Sequence, residues 1–193
     1  MRTLRDFGLA LAGGFLAALS FPKHNLTFLS WIALIPLLFV VTRSRPGRAF
    51  GLSLTAGLSF YGLLLYWIPD VPLHYGGLSL ELSLLIVFVF ILFLAVFWGL
   101  FGLALSKITP LWPPAAFLLA PFFWVAQEYG LTHILTGFPW GLLGYSQSSN
   151  LWLIQLAAVT GVYGVSWVLV FFQGAFVYSM SLKKRTPFFI GLA

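Results

Sequence analysis

Glu128 is a carboxylate set inside an apolar, aromatic run. The segment Thr136-Gly-Phe-Pro-Trp140, then Gly144-Tyr-Ser-Gln147, follows it within one helix length. The chain has only 4 acidic residues. An ionisable group at membrane depth is costly, and it marks either a functional site or a buried structural pair. Such a carboxylate can orient a substrate or a flexible loop by accepting hydrogen bonds. It can also sit neutral against a neighbouring helix and serve packing alone. Trp124, Glu128, Leu131 and Leu135 recur at i, i+4, i+7 and i+11, which puts them on one helical face with Gln127 beside it.

The loop after Glu128 is punctuated by Gly137, Pro139, Gly141 and Gly144, too irregular for a helix. Phe138, Trp140, Leu142, Leu143 and Tyr145 nevertheless make it strongly apolar. A loop of that kind lies at a lipid interface or packs back into a helix bundle. Trp140 and Tyr145 taken singly are ordinary interfacial anchors. Their clustering with Ser146 and Gln147 favours a built site. Tyr66, Trp67, Pro69 and Asp70 supply a similar aromatic and polar edge from a second loop.

These groups need elements to hold them, and composition says which. Hydrophobic residues make up 61% of the 193, charged residues 7%, and mean hydropathy is +1.01. A soluble domain cannot hide that much apolar surface, so the reading is an all-α integral membrane protein. Apolar segments run at roughly 7–21, 26–42, 49–68, 79–106, 112–135 and 151–181. They predict a bundle of six transmembrane helices. A seventh begins at Pro187 and reaches Ala193 without a polar flank, which reads as a cut through a span. The first two segments are short against the roughly 20 residues a span needs, and can form a half-buried hairpin around Phe21-Pro22-Lys23-His24-Asn25.

Arg2, Arg5 and the apolar stretch after them also resemble a signal peptide. Against that, Gly13-Gly14 and the small-xxx-small pairs Gly14/Ala18 and Gly8/Ala12 suit helix packing, so an uncleaved first span is expected.

Charge fixes the expected orientation. With the N-terminus cytoplasmic, that side holds Arg2, Arg5, Arg43, Arg45, Arg48, Lys107, Lys183, Lys184 and Arg185, and the other side only Lys23. The loops around 22–25, 69–78 and 136–150 then face outward, with His24, His74, His133, Asp70 and Glu81 on or near that side. The histidines lie far apart without metal-binding spacing, so no metal and no cofactor is expected. The formal charge of +6 does not indicate nucleic acid, because the basic residues sit between apolar spans rather than along a polar stripe. The absence of cysteine excludes disulfides and any cysteine nucleophile within these residues. A transporter or channel would need polar groups along several spans and an internal repeat, and neither is visible.

Ala120-Pro-Phe-Phe-Trp124, Glu128, Leu135-Thr-Gly-Phe-Pro-Trp140 and Gly144-Tyr-Ser-Gln147 together resemble the membrane domain of bacterial apolipoprotein N-acyltransferases. Leu19-Ser-Phe-Pro22, the stretch from Gly57 to Trp67, and Gly161-Val-Tyr-Gly164 extend the similarity over nearly the whole chain. The resemblance implies an enzyme of the bacterial inner membrane. It would move an acyl chain from a phospholipid donor to the α-amino group of the diacylglyceryl-modified N-terminal cysteine of a lipoprotein. The covalent step runs through a thioester on a cysteine of a Glu-Lys-Cys triad in a nitrilase-like domain that follows the membrane helices. No catalytic residue carries over to residues 1–193, and Glu128 is not the triad glutamate. The chain is therefore expected to be a truncated N-terminal multi-pass domain, with membrane lipids, the phospholipid donor and the lipoprotein as partners. The alternative is a non-catalytic membrane scaffold. Within the domain, Trp140, Pro139 and Trp67 are expected at a groove mouth, Glu128 is expected to fix the loop, and Tyr145 and Gln147 to supply hydrogen bonds. Where the family commonly places an Arg three residues after the glutamate, this chain has Leu131. His133 and Lys23 remain as candidate cationic partners for Glu128.

Overall fold

The computed structural model describes residues 2–183, so the expected seventh span from Pro187 lies outside the described residues. Among those described, all regular structure is helical. The order is α1 (Arg2–Leu19), a 3₁₀ turn (Thr27–Trp31), α2 (Ile35–Val41), α3 (Pro46–Leu64), α4 (Asp70–His74) and α5 (Leu80–Ile108). Then follow α6 (Ala115–Leu118), α7 (Ala120–His133), 3₁₀ turns at Leu143–Gln147 and Leu153–Leu156, and α8 (Ala157–Lys183).

Local chemistry sets the starts of these helices. Ser79 caps α5, its hydroxyl accepting from the Leu82 amide at 3.4 Å, with Glu81 in the first turn and Lys107 in the last, complementing the helix dipole. Pro46 opens α3 and Pro121 falls in the first turn of α7, positions where the missing N–H costs nothing. α5 and the stretch Leu153–Leu182 are long and apolar enough to cross a membrane. The expected segments 26–42 and 112–135 are not single helices. The first divides into the 3₁₀ turn and α2, and the second into α6 and α7, because prolines at 36, 113, 114 and 121 interrupt the hydrogen-bond ladder.

α3 packs against both α5 and α1, and α7 and α6 against α8. Small residues allow the close approaches. A Cβ on Gly14 would fall on the Ala56 carbonyl, and one on Gly57 would lie 3.0 Å from both Ala95 and Trp98. Gly13, Gly14, Ala17 and Ala18 are buried, as a packing seam requires. The second expected pair does not pack: Gly8 has open space beside it and Ala12 is exposed. In that turn the buried position is Ala10 instead.

An aromatic cluster fills the centre. Trp98 stacks on Phe60 with centroids 5.0 Å apart, and meets Trp124 edge-on at 4.8 Å, while Phe101 meets Trp124 at 5.1 Å. The outward side of α5 is also apolar, with Leu84, Leu85, Phe88, Val89 and Leu100 exposed. α8 bends at Gly161, whose φ of 65° and ψ of −176° lie in a region essentially restricted to glycine.

Candidate functional site

Trp124 and Glu128 stand one turn apart on α7, and the spacing lets the indole Nε1 donate to Glu128 Oε1 at 2.8 Å. The same oxygen accepts the backbone amide of Leu143 at 2.7 Å. Glu128 Oε2 is buried without a hydrogen-bond partner among the described residues. Leu131 continues this face into the core, but Leu135 leaves it. Its φ is 58°, its side chain is 83% exposed, and α7 has already ended at His133.

The loop folds back over the end of the helix. Phe138 N donates to Leu131 O at 2.9 Å, closing the turn through Gly137, whose φ of 74° favours glycine. Gly141, with φ 93°, lies where a Cβ would come within 3.2 Å of Leu64, Phe60 and Tyr61. Gly144 N then donates to Ser166 Oγ of α8 at 2.8 Å, and that hydroxyl stands beside the Glu128 carboxylate. Gln147, fully buried, donates from Nε2 to Thr27 O at 2.9 Å and Ser30 Oγ at 2.7 Å. The loop is thus tied to α7, to α8 and to the 3₁₀ turn before α2.

What the loop presents outward is aromatic. Trp140 and Trp67 face each other with centroids 5.8 Å apart, while Phe138 meets Phe90 of α5 at 5.0 Å and Trp140 at 5.4 Å. On one side of the tryptophan pair is an apolar groove of about 680 Å³, lined by Trp67, Pro72, Val87, Phe90, Phe138 and Trp140. On the other is a smaller one of about 290 Å³, lined by Phe21, Pro22, Leu64, Tyr145 and the same two tryptophans. The pair forms a shared wall. The larger space falls within the roughly 300–1,000 Å³ usual for small-molecule sites.

The residues singled out in the sequence therefore separate into three groups. Trp67, Trp140 and Tyr145 reach the grooves, Pro139 is exposed at the turn between Phe138 and Trp140, and Glu128 and Gln147 are buried behind the loop. Glu128 lines neither groove, so the reading of a carboxylate facing an outward cavity gives way to one of a carboxylate holding the loop from beneath. Neither proposed cation partners it. His133 stacks on Tyr129 at 4.0 Å and Lys23 Nζ lies 3.5 Å over the Tyr66 ring. Among the described residues the histidines and carboxylates form no cluster that could hold a metal ion.

Three participants escaped the sequence reading. Ser166 and the Leu143 amide have no local signal. Gln173 does: it is a lone amide in the apolar run of α8, and it accepts from Leu34 N at 2.6 Å and donates to Ser30 O at 3.1 Å.

The arrangement defines an all-helical domain whose aromatic loop, anchored from below, walls two apolar grooves. The family profile of the apolipoprotein N-acyltransferase N-terminal domain matches residues 13–175. An apolipoprotein N-acyltransferase of Geobacter metallireducens is 38% identical over 166 residues, covering 86% of this chain and 32% of the relative. Enzymes of the same name from Coxiella burnetii (32% identical; 91% of this chain, 36% of the relative) and Chlorobaculum tepidum (35%; 86% and 30%) are also similar. This chain belongs to the family of apolipoprotein N-acyltransferase N-terminal domains. It spans about a third of the length of the curated relatives it matches.

Proposed function

We propose that this chain is the lipid-handling domain of an enzyme that N-acylates the lipid-modified N-terminal cysteine of bacterial lipoproteins, with a phospholipid as acyl donor. The observation that carries the reading is the larger groove. It is almost wholly apolar, open at its edge, and walled by Trp67 after α3 and by Trp140, which stands on a loop that three separate hydrogen-bonded anchors hold in place. An acyl chain needs such a surface and no polar group within it. Glu128, Gln147 and Ser166 act as positioning residues for the wall. The covalent chemistry belongs to a region that the longer relatives carry outside the matched third.

The domain sits in the inner membrane as a multi-pass bundle, with its N-terminus cytoplasmic and the 136–150 loop on the periplasmic face. The exposed apolar side of α5 and the Lys and Arg distribution support this placement. The two short helices of segment 26–42 are backed by α8, which supplies polar partners for the helix break.

The test is acylation of a diacylglyceryl-modified lipopeptide by the full-length protein in phospholipid micelles. Trp140→Ala is expected to raise KM for the phospholipid by about tenfold, since removing a large aromatic contact costs on the order of 1–3 kcal/mol. Membrane insertion should stay intact. Unchanged acylation kinetics, or failure of the unsubstituted protein to acylate, would overturn the reading.

A further inference from the structure

We propose that Arg5, Arg43 and Arg48 form a binding site for the phosphate group of an anionic phospholipid, at the end of the domain opposite the tryptophan wall. Arg5 and Asp6 come from the start of α1, Arg43 and Ser44 from the turn after α2, and Arg48 from the start of α3. With Phe39 and Val40 they line a cavity of about 140 Å³. The start of α1 and the turn that joins α2 to α3 thus converge three guanidiniums on one small space.

The charges there do not balance. Among the described residues Asp6 is the only carboxylate in the lining. Arg48 Nη2 donates to Asp6 Oδ2 at 2.7 Å, and Arg5 Nη2 lies 3.7 Å from Oδ1, so both oxygens are engaged. The Arg43 guanidinium is held 3.6 Å over the Phe39 ring and faces no carboxylate in this cavity. Among the described residues three cations against one anion leave a formal surplus of two positive charges, whose mutual repulsion an added anion relieves. Guanidiniums match the oxygens of phosphate in paired hydrogen bonds. The volume is well below the roughly 300 Å³ at which nucleotide-sized sites begin, so the site suits one phosphate group.

Position selects a lipid as the source. α3 has 19 residues and rises roughly 28 Å, so Arg48 and the groove at its far end stand one hydrocarbon thickness apart. On the membrane reading proposed above, the arginines then lie at the headgroup level of the other leaflet, where basic pockets between helices hold anionic lipids. Arg43 also borders an adjacent cavity of about 470 Å³ lined by Thr42, Thr109 and Tyr178. The Thr42 and Thr109 hydroxyls donate to Leu38 O and Leu105 O at 2.8 and 2.7 Å, which leaves their oxygens able to accept. Phosphatidylglycerol supplies both halves: a phosphodiester for the arginines and glycerol hydroxyls for those acceptors.

The experiment is native mass spectrometry of the full-length protein, delipidated in detergent and titrated with phosphatidylglycerol or phosphatidylcholine of matched chains. Binding is read without acyl transfer, so its outcome is separate from that of the acylation assay. Retention of phosphatidylglycerol over phosphatidylcholine is expected, with Arg43→Gln lowering it about fivefold and Arg5→Gln lowering it as well. Asp6→Asn is expected to raise it, an increase that a merely structural role for the cluster does not produce. Helical circular dichroism identifies any variant that fails to fold, and the variants that fold decide the result. Equal retention of the two lipids, or folded variants that leave retention unchanged, would overturn the proposal. So would displacement of phosphatidylglycerol by millimolar inorganic phosphate, which would assign the site to the free ion.

Discussion

Glu128 Oε1 accepts the Leu143 amide at 2.7 Å across 15 residues of chain, and so joins the middle of α7 to the far end of the loop that carries Trp140. The bond is buried and shares its acceptor with the Trp124 indole. Removing the carboxylate leaves two buried donors without a partner, at a cost of about 1–3 kcal/mol each. Glu128→Ala is therefore expected to lower the melting temperature and to depress acylation by the full-length protein. Glu128→Gln keeps an acceptor oxygen and should lose less, and Glu81→Gln, on an exposed side chain, should change neither. Thermal unfolding in detergent beside an acylation assay checks all three. Equal behaviour of the Glu128 and Glu81 variants would remove the loop-holding role.

Gln147 ties the same loop to the turn before α2 through Thr27 O and Ser30 Oγ. Gln147→Leu keeps the bulk and deletes both donors. It should destabilise the domain by about 1–3 kcal/mol. Limited proteolysis should then cut first between residues 136 and 150.

Gly141 combines a φ of 93° with close packing against Phe60 and Tyr61. Gly141→Ala adds backbone strain of roughly 1–2 kcal/mol and pushes into the aromatic cluster. The expected result is a lower melting temperature. A melting temperature matching that of the unsubstituted protein would place the loop elsewhere.

Residues 1–193 contain no cysteine, so a single cysteine placed among them reports topology once the labelling of the unsubstituted protein is subtracted. Ser149→Cys is expected to react with a membrane-impermeant maleimide added to intact spheroplasts, and Ser44→Cys only after lysis. The reverse pattern would invert the proposed orientation.

Much of this was legible in the residues. Apolar runs gave the helical class, and the i, i+4 spacing of Trp124 and Glu128 placed them on one face, where they hydrogen-bond. Glycine and proline between 137 and 144 marked the loop. What stayed hidden depends on long-range partners. Nothing local tells that Glu128 meets the Leu143 amide rather than a groove, or that Gln147 reaches back 120 residues to Thr27. Hydropathy averages over a proline whereas the hydrogen-bond ladder does not, so the breaks inside segments 26–42 and 112–135 leave no trace in an apolar run. The i, i+4, i+7, i+11 spacing places Leu135 on the face of Trp124, Glu128 and Leu131, because periodicity carries no information about where a helix stops. Its left-handed backbone ends the pattern two residues past His133.

The bonds from Gln173 to Leu34 N and Ser30 O bear on the order of assembly. They close the gap between the Thr27–Trp31 turn and α2 with a side chain from 139 residues downstream. While a ribosome is still delivering the intervening chain, that amide and carbonyl lack these partners. The fold of residues 27–41 is therefore completed only after α8 has been made, by a residue from the other end of the described chain.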